Sequence, residues 1–222
     1  MTTQDEMFLA AESDRWFERN QAALGKDLDA DLALRLLSLY RLKPQSVLEV
    51  GAANGYRVAE IAKRTGAHAT AVEPSLLALA DGRAKYGQVS FHQGSARQLP
   101  VDGPFELVIV NYVFHWIDRV NLLRSVAEID RVTADGGWLL IGDFHPWLPT
   151  RNKYHHLPDA AVYTYKQSYA DIFLASGIYQ SVAQLSANER ELQADASDDR
   201  RSAVSLLRKR LAGGYVEGTF KP

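Results

Sequence analysis

From residue 46 to residue 143 short apolar runs that end in Gly, Asp, Glu or Asn alternate with longer amphipathic stretches, which is the rhythm of strand-helix-strand units. Few folds accept it. The run Leu107-Val108-Ile109-Val110 has no polar alternate, so both of its faces need cover, as in a parallel sheet wrapped by helices. The spacing predicts strands over 46–50, 70–73, 89–92, 106–111 and 138–143, with helices between most of them. Apolar runs over 178–185 and 203–207 would add the antiparallel pair that closes such a sheet. The expected fold is α/β: a Rossmann-like, doubly wound, mostly parallel seven-stranded sheet with an antiparallel last strand.

Around this sheet, stretches 7–20 and 27–41 carry apolar residues at three-to-four spacing, with Leu28, Leu32, Leu36 and Leu39 on one face, and read as a helical cap over residues 1–41. Residues 144–168 are rich in proline, aromatics and bases and read as a long loop or lid. A helix over 168–176, stopped by Gly177, follows it. The 222 residues suit one domain with a sizeable core. No stretch approaches a membrane span, and the polar, acidic start predicts a cytoplasmic protein. The chain has no cysteine, which excludes disulfides, thiolate zinc, a cysteine nucleophile and iron–sulfur chemistry, and no metal is expected. A formal net charge of −2 offers no bulk attraction for a polyanion and disfavours nucleic acid, although Arg208-Lys209-Arg210 is a local basic cluster. Oligomeric state is left open.

The informative segment runs Val47-Leu48-Glu49-Val50-Gly51-Ala52-Ala53-Asn54-Gly55-Tyr56, a strand entering a glycine turn and then a helix. Gly51 and Gly55 allow a sharp turn and a close ligand. A dinucleotide needs the Gly-x-Gly-x-x-Gly spacing, and positions 51, 53 and 56 hold Gly, Ala and Tyr. Glu49 would face a phosphate badly but suits the cationic amino-acid end of S-adenosylmethionine, which fits better than NAD. About 20 residues on, the second strand ends in Glu73-Pro74, where an acid binds a ribose diol. Ser95 and Ala96 after the third strand suit the edge and face of an adenine. The fourth strand ends in Asn111-Tyr112-Val113-Phe114, beside the first strand if the order is 3-2-1-4-5. That junction is the switch point at which such sheets bind ligands, and aromatic faces there would hold a sulfonium cation.

These successive motifs, over residues 27–143, resemble those of class I S-adenosylmethionine-dependent methyltransferases. The family commonly has glycine where this chain has Ala53 and aspartate where it has Ser95. A weaker resemblance, carried by Trp16-Phe17-Glu18-Arg19-Asn20 and by segments within 154–169, is to methyltransferases of bacterial surface-sugar pathways. The resemblance implies S-adenosylmethionine as cofactor and methyl transfer to an oxygen or nitrogen of a small molecule, with a sugar or nucleotide-linked sugar as the leading acceptor. Arg19 would cover the cofactor carboxylate, and Arg151, Lys153 and Lys166 would suit an anionic acceptor.

For proton removal, the fifth strand delivers Asp143 and His145 to the cleft edge. His145 is the first candidate base, His155 with His156 the second, and Asp143 or a tyrosine the third. His115, beside Trp116 in a helix-starting turn, reads as a packed structural residue. Two other classes share these features: a catalytically silent S-adenosylmethionine-binding partner subunit, and a nicotinamide oxidoreductase, which the turn spacing disfavours.

Overall fold

In the computed structural model, which describes residues 4–188, 191–198, 200–213, 215 and 217–218, the run Leu107 to Val110 lies in the middle of a sheet with every residue fully buried. Of the acidic start, Met1 to Thr3 lie outside the described residues. The strands are β1 (Ser46–Val50), β2 (His68–Glu73), β3 (Val89–Gln93), β4 (Phe105–Asn111), β5 (Thr133–Phe144), β6 (Thr150–Lys153), β7 (Tyr163–Lys166), β8 (Tyr179–Asn188), β9 (Glu191–Leu192) and β10 (Arg201–Lys209). The main sheet has the order β3-β2-β1-β4-β5-β10-β8-β9. Strands β1 to β5 pair in parallel, and β10 runs antiparallel between β5 and β8.

The expected seven strands are present, and the two-residue β9 adds an eighth at the edge. The last strand is also not the edge strand, because β10 inserts beside β5. It exchanges hydrogen bonds on both sides, and eight of its nine residues, all but Arg208, are buried.

The helices are α1 (Gln4–Met7), α2 (Ser13–Asn20), α3 (Leu32–Leu39), α4 (Tyr56–Thr65), α5 (Leu76–Lys85), α6 (Leu122–Val132) and α7 (Ala170–Ala175). They cover both faces of the sheet. Leu107 and Ile109 join Leu36, Val58 and Ile61 in one core, while Val108 and Val110 join Ile129, Val132 and Phe173 in the other. The period-two alternation of a strand thus sends one continuous apolar run into two separate cores.

Three expectations need correction. The stretch expected as one helix over 7–20 is broken by a π-helical turn at Phe8–Glu12. The helix expected over 27–41 is only α3, which starts where the Asp31 side chain accepts the Leu34 N–H at 3.0 Å. Leu39, placed by periodicity on the buried face, is 69% exposed at its last turn. The long loop over 144–168 contains the β6–β7 hairpin. Gln4 holds that hairpin: its amide donates to the Tyr163 and Trp116 carbonyls at 2.7 and 2.6 Å and accepts the Tyr163 N–H at 2.9 Å.

Candidate functional site

The site lies where β1 and β4 are neighbours, since the chain leaves β1 toward β2 on one side and leaves β4 toward β5 on the other. The turn after β1 bends through three left-handed residues, Gly51 (φ 70°), Ala53 (φ 49°) and Gly55 (φ 74°). The Gly51 and Ala52 N–H groups donate to the Val72 carbonyl at 2.8 and 3.2 Å, which ties the turn to β2. A Cβ at Gly51 would overlap the Val113 side chain, and one at Gly55 would come within 2.7 Å of Phe91. Both glycines are therefore demanded by backbone and packing, beyond the ligand room expected from sequence.

Two cavities open at this junction. The smaller, about 130 Å³, is lined by Glu73, Pro74, Ser95, Ala96 and Val113, with Phe8 and Trp16 of the amino-terminal cap over it. The larger, about 550 Å³, is lined by Ala53, Tyr56, Arg57, Asn111, His115 and Phe144, with residues 23–33 forming much of its wall. Gly51, Tyr112, Trp16 and Trp116 line both, so the two are halves of one cleft. Tyr112 occupies the bend itself in a left-handed conformation, φ 56°.

Glu73 ends β2 on the wall of the smaller half. Its carboxylate accepts the Ala53 N–H at 2.8 Å and the Ser75 N–H at 3.0 Å. Burial pushes its pKa up to about 7, with these two hydrogen bonds opposing the rise and Asp14 adding to it. Two carboxylate oxygens can accept from a ribose diol besides these bonds. The small Ser95 and Ala96 beside Pro74 leave a slot for a flat ring, so the donor set fits a nucleoside whose neighbouring group is cationic. A pyrophosphate would meet Glu73 as an anion.

Other residues singled out by sequence stand elsewhere. Glu49 is fully buried and ion-pairs with Arg57, whose guanidinium also donates to Asp31 at 2.9 Å and to the Tyr56 hydroxyl at 2.7 Å. Burial pushes the Glu49 carboxyl up to about 7 against the pull of Arg57. Glu49 lines neither cavity, whereas Arg57 lines the larger one. Asn54 donates to Asp81 of α5 at 2.8 Å and lines neither cavity. Arg19 is drawn to Glu12 at 2.5 Å and to the Tyr154 hydroxyl at 2.8 Å, also off both walls. Phe114 is a core residue, stacked on Tyr169 with ring centroids 5.0 Å apart.

The candidate bases are also redistributed. His145 lies on neither cavity wall, beside Arg201, and its Nδ1 is buried without a partner. Burial lowers its pKa. His155 and His156 are exposed, pack on Tyr154 and line neither half of the cleft. Of residues 144–168 only Phe144 lines the larger half. Asp143 turns to His115, whose Nδ1 lies 2.8 Å from its Oδ1. Asn111 of β4 and Gly142 of β5 are register partners; the chain leaves the sheet after Asn111, while Asp143 continues β5 beside β10, one residue past that pair. Among the described residues no group of three or more His, Asp or Glu could hold a metal ion, and no helix is long and apolar enough to cross a membrane.

Comparison with known proteins agrees with this architecture. Residues 47–137 match a family model described as a methyltransferase domain. A malonyl-[acyl-carrier protein] O-methyltransferase of Halorhodospira halophila is 30% identical over 122 residues, which cover 53% of this chain and 41% of that protein. The chain thus matches about two fifths of that relative's length. Among solved structures, a 1,6-didemethyltoxoflavin-N1-methyltransferase of Burkholderia thailandensis superposes with a TM-score of 0.71 at 16% identity, covering 95% of this chain and 91% of that one. The N-methyltransferase NodS of Bradyrhizobium japonicum gives 0.62 at 18% identity, covering 94% and 98%. Residues 47–137 thus match a methyltransferase domain, and 95% of the chain shares the fold of a solved methyltransferase.

Proposed function

We propose that this protein transfers a methyl group from S-adenosylmethionine to a nitrogen or oxygen of a small molecule. The observation that carries the reading is the two-part cleft, in which Glu73 faces the smaller half while His115, Asn111 and Tyr56 face the larger. In this reading Glu73 takes the ribose, Pro74, Ser95 and Ala96 flank the adenine, and Gly51, Ala53, Asn111 and Tyr112 surround the amino-acid end. When bound, the cofactor supplies an electrophilic methyl and leaves as S-adenosylhomocysteine. The protein's task is then to hold the acceptor within reach, exclude water and receive a proton where one is lost. Trp16, Trp116 and the amino-terminal cap exclude water, and the larger half of about 550 Å³ is room for the amino-acid end together with an acceptor of metabolite size. An anionic group on the acceptor would meet Lys26 on that wall. The Burkholderia enzyme, whose structure holds 1,6-didemethyltoxoflavin together with S-adenosylhomocysteine, supports a small-molecule acceptor.

Calorimetry tests the cofactor half: S-adenosylhomocysteine is expected to bind saturably and NAD not at all. Saturable NAD binding with no response to S-adenosylhomocysteine overturns the reading. Methyl-labelled cofactor with a panel of small phenols, carboxylates and primary amines tests the transfer. Tight cofactor binding without transfer to any member would favour the silent-partner reading instead.

A further inference from the structure

We infer that His115 is the general base of this site and that Asp143 positions it. The inference rests on the methyl-transfer reading above. His115 is 4% exposed, yet it belongs to the wall of the larger cavity, the half that lies beyond Tyr112 and Trp116 from Glu73. Among the histidines of the described residues it is the one that lines either half of the cleft.

Three hydrogen bonds set its orientation. The Asp143 Oδ1 lies 2.8 Å from His115 Nδ1 and also accepts the Phe144 N–H at 2.8 Å, while Oδ2 accepts the backbone N–H of His115 at 3.2 Å. A carboxylate that accepts on both oxygens needs a donor at Nδ1, so the hydrogen of the neutral ring sits there and the Nε2 lone pair is left free. Phe144 packs edge-on to the imidazole at 5.0 Å and Trp116 lies tilted against it at 4.6 Å, which holds the ring plane. The His115 side chain borders open cavity space. A histidine serving only to knit β4 to β5 would need the Nδ1 bond alone. With Nδ1 held by Asp143, Nε2 is the ring nitrogen left to act on a ligand in that cavity, and proton removal requires such a nitrogen.

The acceptor's nitrogen or oxygen lone pair forms the bond to the methyl carbon, the carbon–sulfur bond breaks with its electron pair going to sulfur, and the acceptor's N–H or O–H proton goes to His115 Nε2. Asp143 keeps the tautomer that can accept it and faces the imidazolium that results.

Two measurements on the whole chain test this without an identified acceptor. Long-range proton–nitrogen spectra of histidine-labelled protein with S-adenosylhomocysteine bound are expected to give His115 as the Nδ1–H tautomer. Diethyl pyrocarbonate, which attacks the unprotonated ring nitrogen, is expected to modify His115 in the folded protein, read by mass spectrometry. Asp143→Asn should slow that modification about tenfold or more by releasing the tautomer. Rates at His155 and His156 should stay unchanged and S-adenosylhomocysteine affinity should stay within twofold. An Nε2–H tautomer, an unreactive His115, or equal His115 rates in parent and variant would overturn the inference. Should the variant not fold, the parent's tautomer and reactivity decide alone. Failure of S-adenosylhomocysteine to bind the parent would strike the methyl-transfer reading and leave the tautomer to be read in the free protein.

Discussion

Ala53 shows how one side chain can hold a conformation it disfavours. Its φ of 49° is left-handed, which costs a residue with a Cβ about 1–2 kcal/mol, and its N–H is spent on Glu73 at 2.8 Å. The backbone at this position therefore asks for glycine. Ala53→Gly is expected to raise the unfolding free energy by up to about 1 kcal/mol, the relief of strain exceeding the added chain entropy of glycine, as read by urea titration. A loss of stability would mean that the Ala53 methyl, 7% exposed, packs more favourably than its backbone is strained. Glu73 couples the same turn to the ligand. Glu73→Ala is expected to weaken S-adenosylhomocysteine binding by roughly 1–3 kcal/mol, because ribose hydroxyls lose their acceptor. Calorimetry that finds equal affinity in variant and parent would remove Glu73 from the site. His115 and His145 make the opposite pair: they stand on either side of Asp143 in the chain's reach, and side-chain direction decides which of them meets the cleft.

At the scale of elements, the phenyl ring of Phe91 on β3 fills the space that a Cβ would need at both Gly55, before α4, and Gly82, within α5. Two helices and a strand thus meet over hydrogen atoms. Gly55 carries the further demand of a φ of 74°. A Gly55→Val change is therefore expected to cost about 3 kcal/mol or more, from overpacking together with backbone strain, and to lower the thermal midpoint along with cofactor binding. Circular dichroism melts check this, and an unchanged midpoint would return Gly55 to a purely ligand-facing role. The loop after β5 illustrates the same gap between pattern and placement. Its prolines and aromatics were readable as a lid, but it packs on the amino-terminal segment: the Tyr154 hydroxyl donates to Glu12 at 2.8 Å and its ring lies 6.2 Å from that of Phe8. The wall of the larger cavity comes instead from residues 23–33, a stretch whose role depends on how the cap crosses the sheet.

For the whole molecule, a buried acid links the site to stability. The Glu73 carboxyl titrates near 7 in the fold and near 4.3 in an unfolded chain. Between those values the native state holds a proton that the unfolded state has released. Stability from this group is accordingly greatest below about pH 4 and declines as pH rises through 7, by roughly 2–4 kcal/mol in all. Urea midpoints of the parent are expected to fall from pH 5 to pH 8, and Glu73→Gln should flatten that slope; parallel slopes would mean that Glu73 is ionised throughout. The parallel sheet, its strand boundaries within a few residues and the acid at the end of β2 were all readable in the chain. Each depends on local rules: apolar runs must be covered, and turns punctuate them. The amphipathic period likewise marked the cap, though its breaks at Phe8–Glu12 and before α3 did not register, because a helix pattern says nothing of where tertiary contacts interrupt it. What only the tertiary structure decided is which polar groups spend their hydrogen bonds on each other. Glu49 pairs with Arg57, Arg19 with Glu12, and Asp143 with His115. Such pairings join residues from elements that meet only after folding, across gaps of a few ångströms that no one-dimensional period encodes, and they determine which side chains remain for the ligand.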